Sequence, residues 1–418
     1  MGIRVFSSVA SHRQVACTTC IALVFSYLYL QPSSQAAAGA GLGGIDLDAM
    51  RSTMSPASVI AGHDSFAGSA WRSGVASEAQ ASADADLGEQ VDALMKQAAL
   101  DGLGGAVVLE RNGHMLLSSG YGLANRRSRL AFTEDTVAPI NSITKSVTAL
   151  GVVQLATVGR IDLQAPLSAY LKGIREPAGS SRIHDVLVHH AGLPPHCEDD
   201  WERRTKAQLI EECSQQPLVA ARGALSYSNP GYSYLSALVE EVSGQTWEDY
   251  LRIHVFEPAG MRRSGWPFGK YQGSTLAEGY VEDAPRAVPA DRLAALGGDV
   301  WNWKGNGELY ASATDMHRLS QFLMRQPAHI IQPMITPQGP EYGAGVRDGY
   351  GFALRFDRSG RIYRIGSSGS DGAFVSYFMW LPQQGVFMYF VGNNGENRVR
   401  PVLTAVIDAI QKSVGAGQ

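Results

Sequence analysis

A chain of 418 residues that is 45% apolar and only 18% charged has the composition of a core-forming protein, not of an intrinsically disordered one. Its 35 basic and 39 acidic residues give a net charge of −4, and no Lys/Arg cluster supplies the basic face that phosphate neutralisation needs, so general nucleic-acid binding is excluded. Four cysteines are too few for a disulfide scaffold or a Cys-rich metal protein, which leaves an enzyme or a binding protein.

The N-terminus carries Arg4 and Arg13 and no acid, then an uncharged, mostly apolar run from Val15 to Leu30, then small residues around Ala36-Ala37-Ala38. Basic, apolar and small-residue regions in that order read as a secretory signal over 1–35. The apolar run falls short of the roughly 20 residues that span a bilayer comfortably, so a cleaved signal is favoured over a retained membrane anchor, and an ordinary buried helix ranks last. Cleavage would give an exported, periplasmic or secreted chain of net charge −6. Cys17 and Cys20 sit at the wrong end of the run for a lipoprotein signal. More than half of residues 36–85 are Ala, Gly or Ser without a sustained apolar period, the composition of a flexible linker. Order is expected to return at Asp86, where Asp86-Leu87-Gly88-Glu89 looks like a capping box opening a helix with Leu87, Val91, Leu94, Met95 and Ala98 on one face.

Residues 86–415 read as one folded unit. Gly105–Glu110 and His114–Ser119 flank Arg111-Asn112-Gly113, a strong hairpin signal. The middle of the chain has helical period over Ser146–Leu155, Ala207–Glu212, Tyr232–Val242 and Trp247–Val255. Strands are expected at Gly351–Phe356, Ile362–Ile365, Val375–Trp380 and Val386–Val391, and a last helix from Pro401 carries Val402, Leu403, Val406, Ile407 and Ile410. Strands at both ends with helices between predict an α/β (α+β) fold, in which an antiparallel sheet flanked by helices is completed by the two termini around an inserted helical lobe.

No nucleophile elbow Gly-x-Ser-x-Gly occurs, nor His-Glu-x-x-His, a phosphate-cradling Lys loop, or a dinucleotide fingerprint following a strand. Ser142-Ile143-Thr144-Lys145 is present, and residues three apart on a helix share a face, so Lys145 can reach the Ser142 hydroxyl. The apolar Val147, Leu150, Val153 and Leu155 would bury the segment, and burial leaves part of a lysine neutral and able to take the serine proton. A serine at the helix N-terminus also gains the positive dipole end. Alone, this short pattern is as well explained by a surface Ser and Lys. Tyr227-Ser228-Asn229 adds a tyrosine that can carry a proton beside a cation and an amide that can fix the lysine or a substrate carbonyl.

With these segments in hand, the sequence resembles the class C β-lactamase-like family of serine hydrolases, which includes β-lactamases, D-alanyl peptidases, esterases and amide hydrolases. Asn141–Ala149 resembles the family's nucleophile helix and Gly159–Leu163 the turn after it. Val186-Leu187-Val188-His189-His190-Ala191-Gly192-Leu193-Pro194 is similar to its His-Thr-Ser-Gly-Leu-Pro loop, and Phe256–Met261 and Gly307–Met316 match in order. The resemblance runs from about 87 to 415 and implies a β-lactamase/transpeptidase-like fold. It also places Gly366-Ser367-Ser368-Gly369-Ser370 at the family's third motif, Lys-Thr-Gly or His-x-Gly, so that Ser367 stands where a cation is usual. By the same resemblance the backbone N–H groups of Ser142 and Ser370 form the oxyanion hole, with Ser367, Ser368 and Gly369 lining the substrate.

Other candidates are weaker. His184, His189, His190 and His196 cluster in sequence, yet the resemblance puts His189 and His190 in a structural loop, and no metal site is expected. The acidic pairs Asp199-Asp200, Glu211-Glu212 and Glu240-Glu241 point apart on a helix and read as solvated faces. In an oxidising compartment Cys197 and Cys213 could form a disulfide worth roughly 3 kcal/mol, the alternative being two buried thiols. The resulting expectation is an exported serine hydrolase that needs no cofactor and acts on an ester or amide in a small-molecule or short-peptide substrate: Ser142 attacks, Lys145 takes its proton, Tyr227 relays a proton to the leaving group, and Asn229 orients them. The alternatives are a β-lactamase or D-alanyl peptidase acting on a β-lactam or cell-wall peptide, and a catalytically silent binding homologue.

Overall fold

The structure is a computed structural model that describes residues 78–197, 203–266, 276–286, 300–343 and 345–415. The expected signal over 1–35 and all of the expected linker up to residue 77 lie outside the described residues. The first helix, α1 (Glu78–Leu100), begins eight residues before the expected Asp86. The reason is that Ala79, Ala81, Ala83 and Ala85 are strong helix formers as well as linker residues, and Asp84, near the start, is held by an ion pair of 2.8 Å to Arg111. Of the expected face, Leu87, Val91, Met95 and Ala98 are buried and Leu94 is half-buried.

The hairpin consists of β1 (Gly105–Arg111) and β2 (His114–Tyr121), with Asn112 at φ +50° and Gly113 at φ +83°. Positive φ at both turn positions is what an Asn-Gly pair tolerates and what a tight hairpin turn demands. The chain then leaves the sheet for its helical part. The helix α2 (Thr144–Thr157) follows a 3₁₀ turn, Asn141–Ile143, and α3 (Asn229–Ser243) starts three residues before the expected Tyr232, capped by Ser228. Lys206–Glu212 is opened by a reciprocal capping box of Thr205 and Gln208, and the expected helix over Trp247–Val255 is α-helical only to Leu251 before a π turn over Arg252–Phe256. A disulfide joins Cys197 and Cys213. The helix α4 (Ala313–Met324) leads back towards the sheet.

The remaining strands are β3 (Val346–Asp348), β4 (Ala353–Phe356), β5 (Ile362–Ser370), β6 (Val375–Leu381) and β7 (Val386–Gly392), and α5 (Glu396–Val414) closes the chain. The seven main strands run antiparallel in the order β3-β4-β5-β6-β7-β1-β2, so the two ends of the folded region meet where β7 pairs with β1. Every residue of β6 and β7 is buried, as befits central strands covered on both faces. Trp380 donates to Ser320 Oγ of α4 at 2.7 Å, and its strand face continues into the aromatic cluster of Phe352, Phe378 and Phe387. Gly392 faces the other way, against Val399 of α5. Nothing in Ser367-Ser368-Gly369-Ser370 favours a strand, and β5 nonetheless runs through it because Ser367 to Ser370 pair in register with Val375 to Phe378. The terminal helix starts at Glu396, five residues before the expected Pro401, which the helix accommodates early in its length.

Candidate active site

Four side chains from two segments of the helical part converge on the start of α2. Asn141 adopts φ +50°, a conformation Asn reaches more readily than most residues, and so turns Ser142 out of β-like backbone into the 3₁₀ turn. One helical step later Lys145, only 3% exposed, places Nζ 3.1 Å from Ser142 Oγ. The same nitrogen reaches Asn229 Oδ1 at 2.8 Å and the carbonyl oxygen of Asn306 at 2.8 Å. Tyr227 OH donates to Ser142 Oγ at 2.8 Å, and Lys145 Nζ stands 4.7 Å from the centre of the Tyr227 ring. Ser142, Lys145, Tyr227 and Asn229, drawn from segments far apart in sequence, are therefore linked in one chain of direct hydrogen bonds through Ser142 Oγ and Lys145 Nζ.

The segment that presents Tyr227 is fastened to the loop over 189–195. Ser226 N–H donates to His189 O, Ser226 Oγ to Leu193 O, Ser228 Oγ to Pro194 O, and Asn229 N–H to Pro195 O. Ser228 Oγ also accepts from Gly231 N–H and so caps α3, which sets Asn229 in its first turn. His189 does more than form a loop: its ring lies 4.4 Å from that of Tyr227 and 5.1 Å from that of Tyr232. Its Nδ1 accepts the Ser228 N–H at 3.1 Å, which puts the ring proton on Nε2. Burial first, then the neighbouring basic groups Lys145 and His190, hold this imidazole well below its ordinary range, so it is neutral.

The third wall is β5. Its pairing with β4 ends at Gly366, so 367–370 have β6 on one side and an open edge on the other. A Cβ at Gly369 would stand 2.8 Å from Ser142 N, so the strand backbone passes directly beside the nucleophile turn. Ser376 Oγ, donating to Ile140 O at 2.8 Å, ties that turn to β6. Ser367 is 5% exposed and Ser368 half-buried. Ser370 Oγ is hydrogen-bonded to Glu396, whose other oxygen accepts from Arg400 Nε at 3.2 Å.

Three backbone carbonyls carry no signal a sequence could offer. The Asn306 carbonyl is backbone; its position is fixed by the Asn306 amide, which donates to Ser233 Oγ at 2.9 Å and Asn302 O at 2.7 Å. Gly351 O accepts from Ser146 Oγ at 2.5 Å and Gly305 O from Thr148 Oγ1 at 2.7 Å, so two modest helix formers of α2 lock it to loops on either side. Among the described residues no group of three or more His, Cys, Asp or Glu could hold a metal ion, and His184 instead pairs with Tyr350 OH at 2.7 Å.

The Beta-lactamase family profile matches residues 89–412. The chain belongs to the beta-lactamase family. This beta-lactamase-family chain is a serine hydrolase with the mixed helix and antiparallel-sheet fold of that group. It is 27% identical over 282 residues to a putative penicillin-binding protein, PbpX, of Bacillus subtilis, covering 63% of this chain and 70% of that protein. It is 27% identical over 290 residues to a D-aminopeptidase of Brucella canis, where the match covers 64% of this chain and 52% of the relative. Among solved structures, EstCE1, a hydrolase with promiscuous acyltransferase activity, superposes with a TM-score of 0.67 at 20% identity over 78% of this chain and 99% of that one.

Proposed function

We propose that this beta-lactamase-family hydrolase is exported and cleaves a neutral ester or amide through an acyl-enzyme on Ser142. The observation that carries the reading is the convergence of Lys145 Nζ and Tyr227 OH on Ser142 Oγ, at 3.1 and 2.8 Å. Two of the three oxygens around Lys145 Nζ, Asn229 Oδ1 and Asn306 O, can only accept; the third, Ser142 Oγ, can also donate. A neutral Lys145 donates to the first two and accepts the Ser142 proton. The resulting ammonium donates to all three, so the transfer needs no heavy-atom movement. Ser142 Oγ then adds to the substrate carbonyl, and the backbone N–H groups of Ser142 and Ser370 receive the oxyanion. Tyr227 gives its proton to the departing alkoxide or amine and regains one from Lys145. Water, activated by the same pair, hydrolyses the acyl-enzyme and restores Ser142.

The groups bonded to residues 367–370 favour an uncharged substrate. Ser367 is neutral, and among the described residues the one charged side chain bonded to 367–370 is the Glu396 carboxylate, which would repel a substrate carboxylate. The intact mass of the protein after incubation with a neutral activated ester or a β-lactam tests the reading. An ester-derived adduct on Ser142, with turnover abolished in Ser142→Ala, is expected. Turnover surviving in that variant sinks it, and a stable β-lactam adduct without ester turnover moves the function to penicillin interaction. Export is checked by expressing the whole chain: the product is expected outside the cytoplasm without residues 1–35, and a cytoplasmic product that retains Met1 overturns it.

A further inference from the structure

We infer that Arg355 and Arg364 form a second, non-catalytic site for a phosphate group, free or carried by a phosphomonoester, on the face of the sheet turned away from Ser142. Arg355 of β4 and Arg364 of β5 are directly paired across the two strands, so their side chains leave the sheet on the same face. Residues alternate along β5, and Gly369 faces the Ser142 turn; Arg364, an odd number of positions away, therefore projects from the opposite face, the one α5 covers at Gly392.

Two cations set opposite each other normally recruit an acid, because like charges in paired positions destabilise a sheet. None is recruited here. Among the described residues neither guanidinium makes a salt bridge; Asp348 on neighbouring β3 is engaged by Tyr342 OH at 2.6 Å, and Asp357 by Ser359 and Arg361. Arg364 and the phenols of Tyr377, Tyr363 and Tyr342 lie close enough to Arg355 to act on its charge. Arg364 is 3% exposed, and its Nε is sealed from solvent without a hydrogen-bond partner. Its two terminal nitrogens, though also without a hydrogen bond, are not sealed, which is the arrangement of a fork open to an incoming ligand. Beside it Gly366 supplies the room: a Cβ there would stand 3.2 Å from Tyr377 OH, so the phenol hangs over the bare backbone next to the guanidinium.

A buried guanidinium left unpaired is costly, and two of them beside phenol donors match the charge of about −1.5 to −2 and the several acceptor oxygens of a phosphate group. Planar guanidinium forks bind such oxyanions bidentately, which a monovalent carboxylate would only half satisfy. Because the site and the nucleophile lie on opposite faces of β5, the ligand binds without entering the catalytic pocket.

Thermal unfolding and calorimetric titration of the whole chain, at constant ionic strength, test the assignment. Inorganic phosphate and glycerol phosphate are compared with chloride and acetate. The midpoint is expected to rise saturably with phosphate, and Arg355→Gln and Arg364→Gln are each expected to weaken phosphate binding about tenfold or more while ester turnover stays within twofold. Tighter binding of glycerol phosphate identifies a phosphomonoester as the natural form, and equal binding identifies the free anion. Should Arg364→Gln fail to fold, the half-buried Arg355 carries the test. In chloride alone Arg355→Gln is expected to be at least as stable as the parent, since a like-charge pair has been relieved. A phosphate response matched by chloride, undiminished in Arg355→Gln, or accompanied by destabilisation of that variant in chloride overturns the proposal. None of these outcomes depends on whether Ser142 forms an acyl-enzyme.

Discussion

Gly369 runs so close to Ser142 that a Cβ at position 369 would stand 2.8 Å from the Ser142 nitrogen and press on the Ile140 carbonyl oxygen. Real Cβ contacts do not come that near, so Gly369→Ala must move either β5 or the nucleophile turn. Either movement separates the backbone donors assigned to the oxyanion. The expected result is a fall in ester kcat of about 10²-fold or more, the scale of losing one oxyanion donor, with secondary structure retained by circular dichroism. Activity within a few-fold of the parent would show that the two backbones do not act together.

Asn229 gives Lys145 an acceptor that a shortened side chain cannot replace. In Asn229→Ala the Lys145 amine keeps Ser142 Oγ and Asn306 O but loses the Asn229 hydrogen bond in a buried site. A charged-group hydrogen bond contributes about 1.5 to 3 kcal/mol, so kcat should drop roughly 10- to 100-fold with KM little changed. Asn229→Asp retains an acceptor oxygen and is expected to recover part of the loss at a shifted pH optimum. If Asp and Ala behave alike, Asn229 acts by packing and not through its oxygen.

How much of this was legible in the sequence follows from the range of each interaction. Ser142 and Lys145 are one helical step apart, so spacing alone brought them together, and the hairpin at Asn112-Gly113 was equally local. Tyr227 and Asn229 needed the resemblance of the whole ordered set, since nothing near them points to α2. The Asn306 carbonyl was illegible because backbone carries no identity. The reach of β5 through Ser367–Ser370 was hidden by residues that are poor strand formers and are paired only because β6 lies beside them. The Arg355–Arg364 pairing depends on register, which tertiary structure sets. Alanine misled in one place: its abundance before residue 86 fits a linker and a helix alike, and the buried Asp84–Arg111 pair decides for the helix.

His189 predicts how stability changes on the acid side. Its imidazole is held well below 6.5 by burial and by Lys145, whereas in the unfolded chain it titrates near the ordinary value. Below about pH 6.5 the unfolded state therefore binds a proton that the folded state refuses, and stability falls as pH drops. His184 and His190, lowered chiefly by burial, act in the same direction. Urea unfolding between pH 7.5 and 5.5 should show this decline, and His189→Gln should flatten it by about one proton. Protonation would also set an Nδ1–H against the Ser228 N–H, so the acid limb of ester kcat should shift in the same variant. An unchanged slope would place the titration elsewhere.

Asp348 predicts the opposite slope. Burial pushes its carboxyl up to about 7, only partly opposed by the hydrogen bond from Tyr342 OH at 2.6 Å. Its second oxygen is sealed without a hydrogen bond, 3.9 Å from an equally unpartnered His190 Nε2. Between the unfolded value of 3.8 and about 7 the folded state holds a proton that the unfolded state has lost, so stability falls as pH rises through that window, and the whole loss is present above it. Asn resembles the protonated acid but cannot ionise. Asp348→Asn is therefore expected to stabilise the protein at pH 8 by roughly 2 to 4 kcal/mol, to change little below pH 4, and to steepen the histidine-driven decline that Asp348 now offsets. Urea unfolding of both proteins at pH 4, 6 and 8 measures all three effects; a gain that is the same at every pH would mean that packing, and not the buried charge, sets the cost of Asp348.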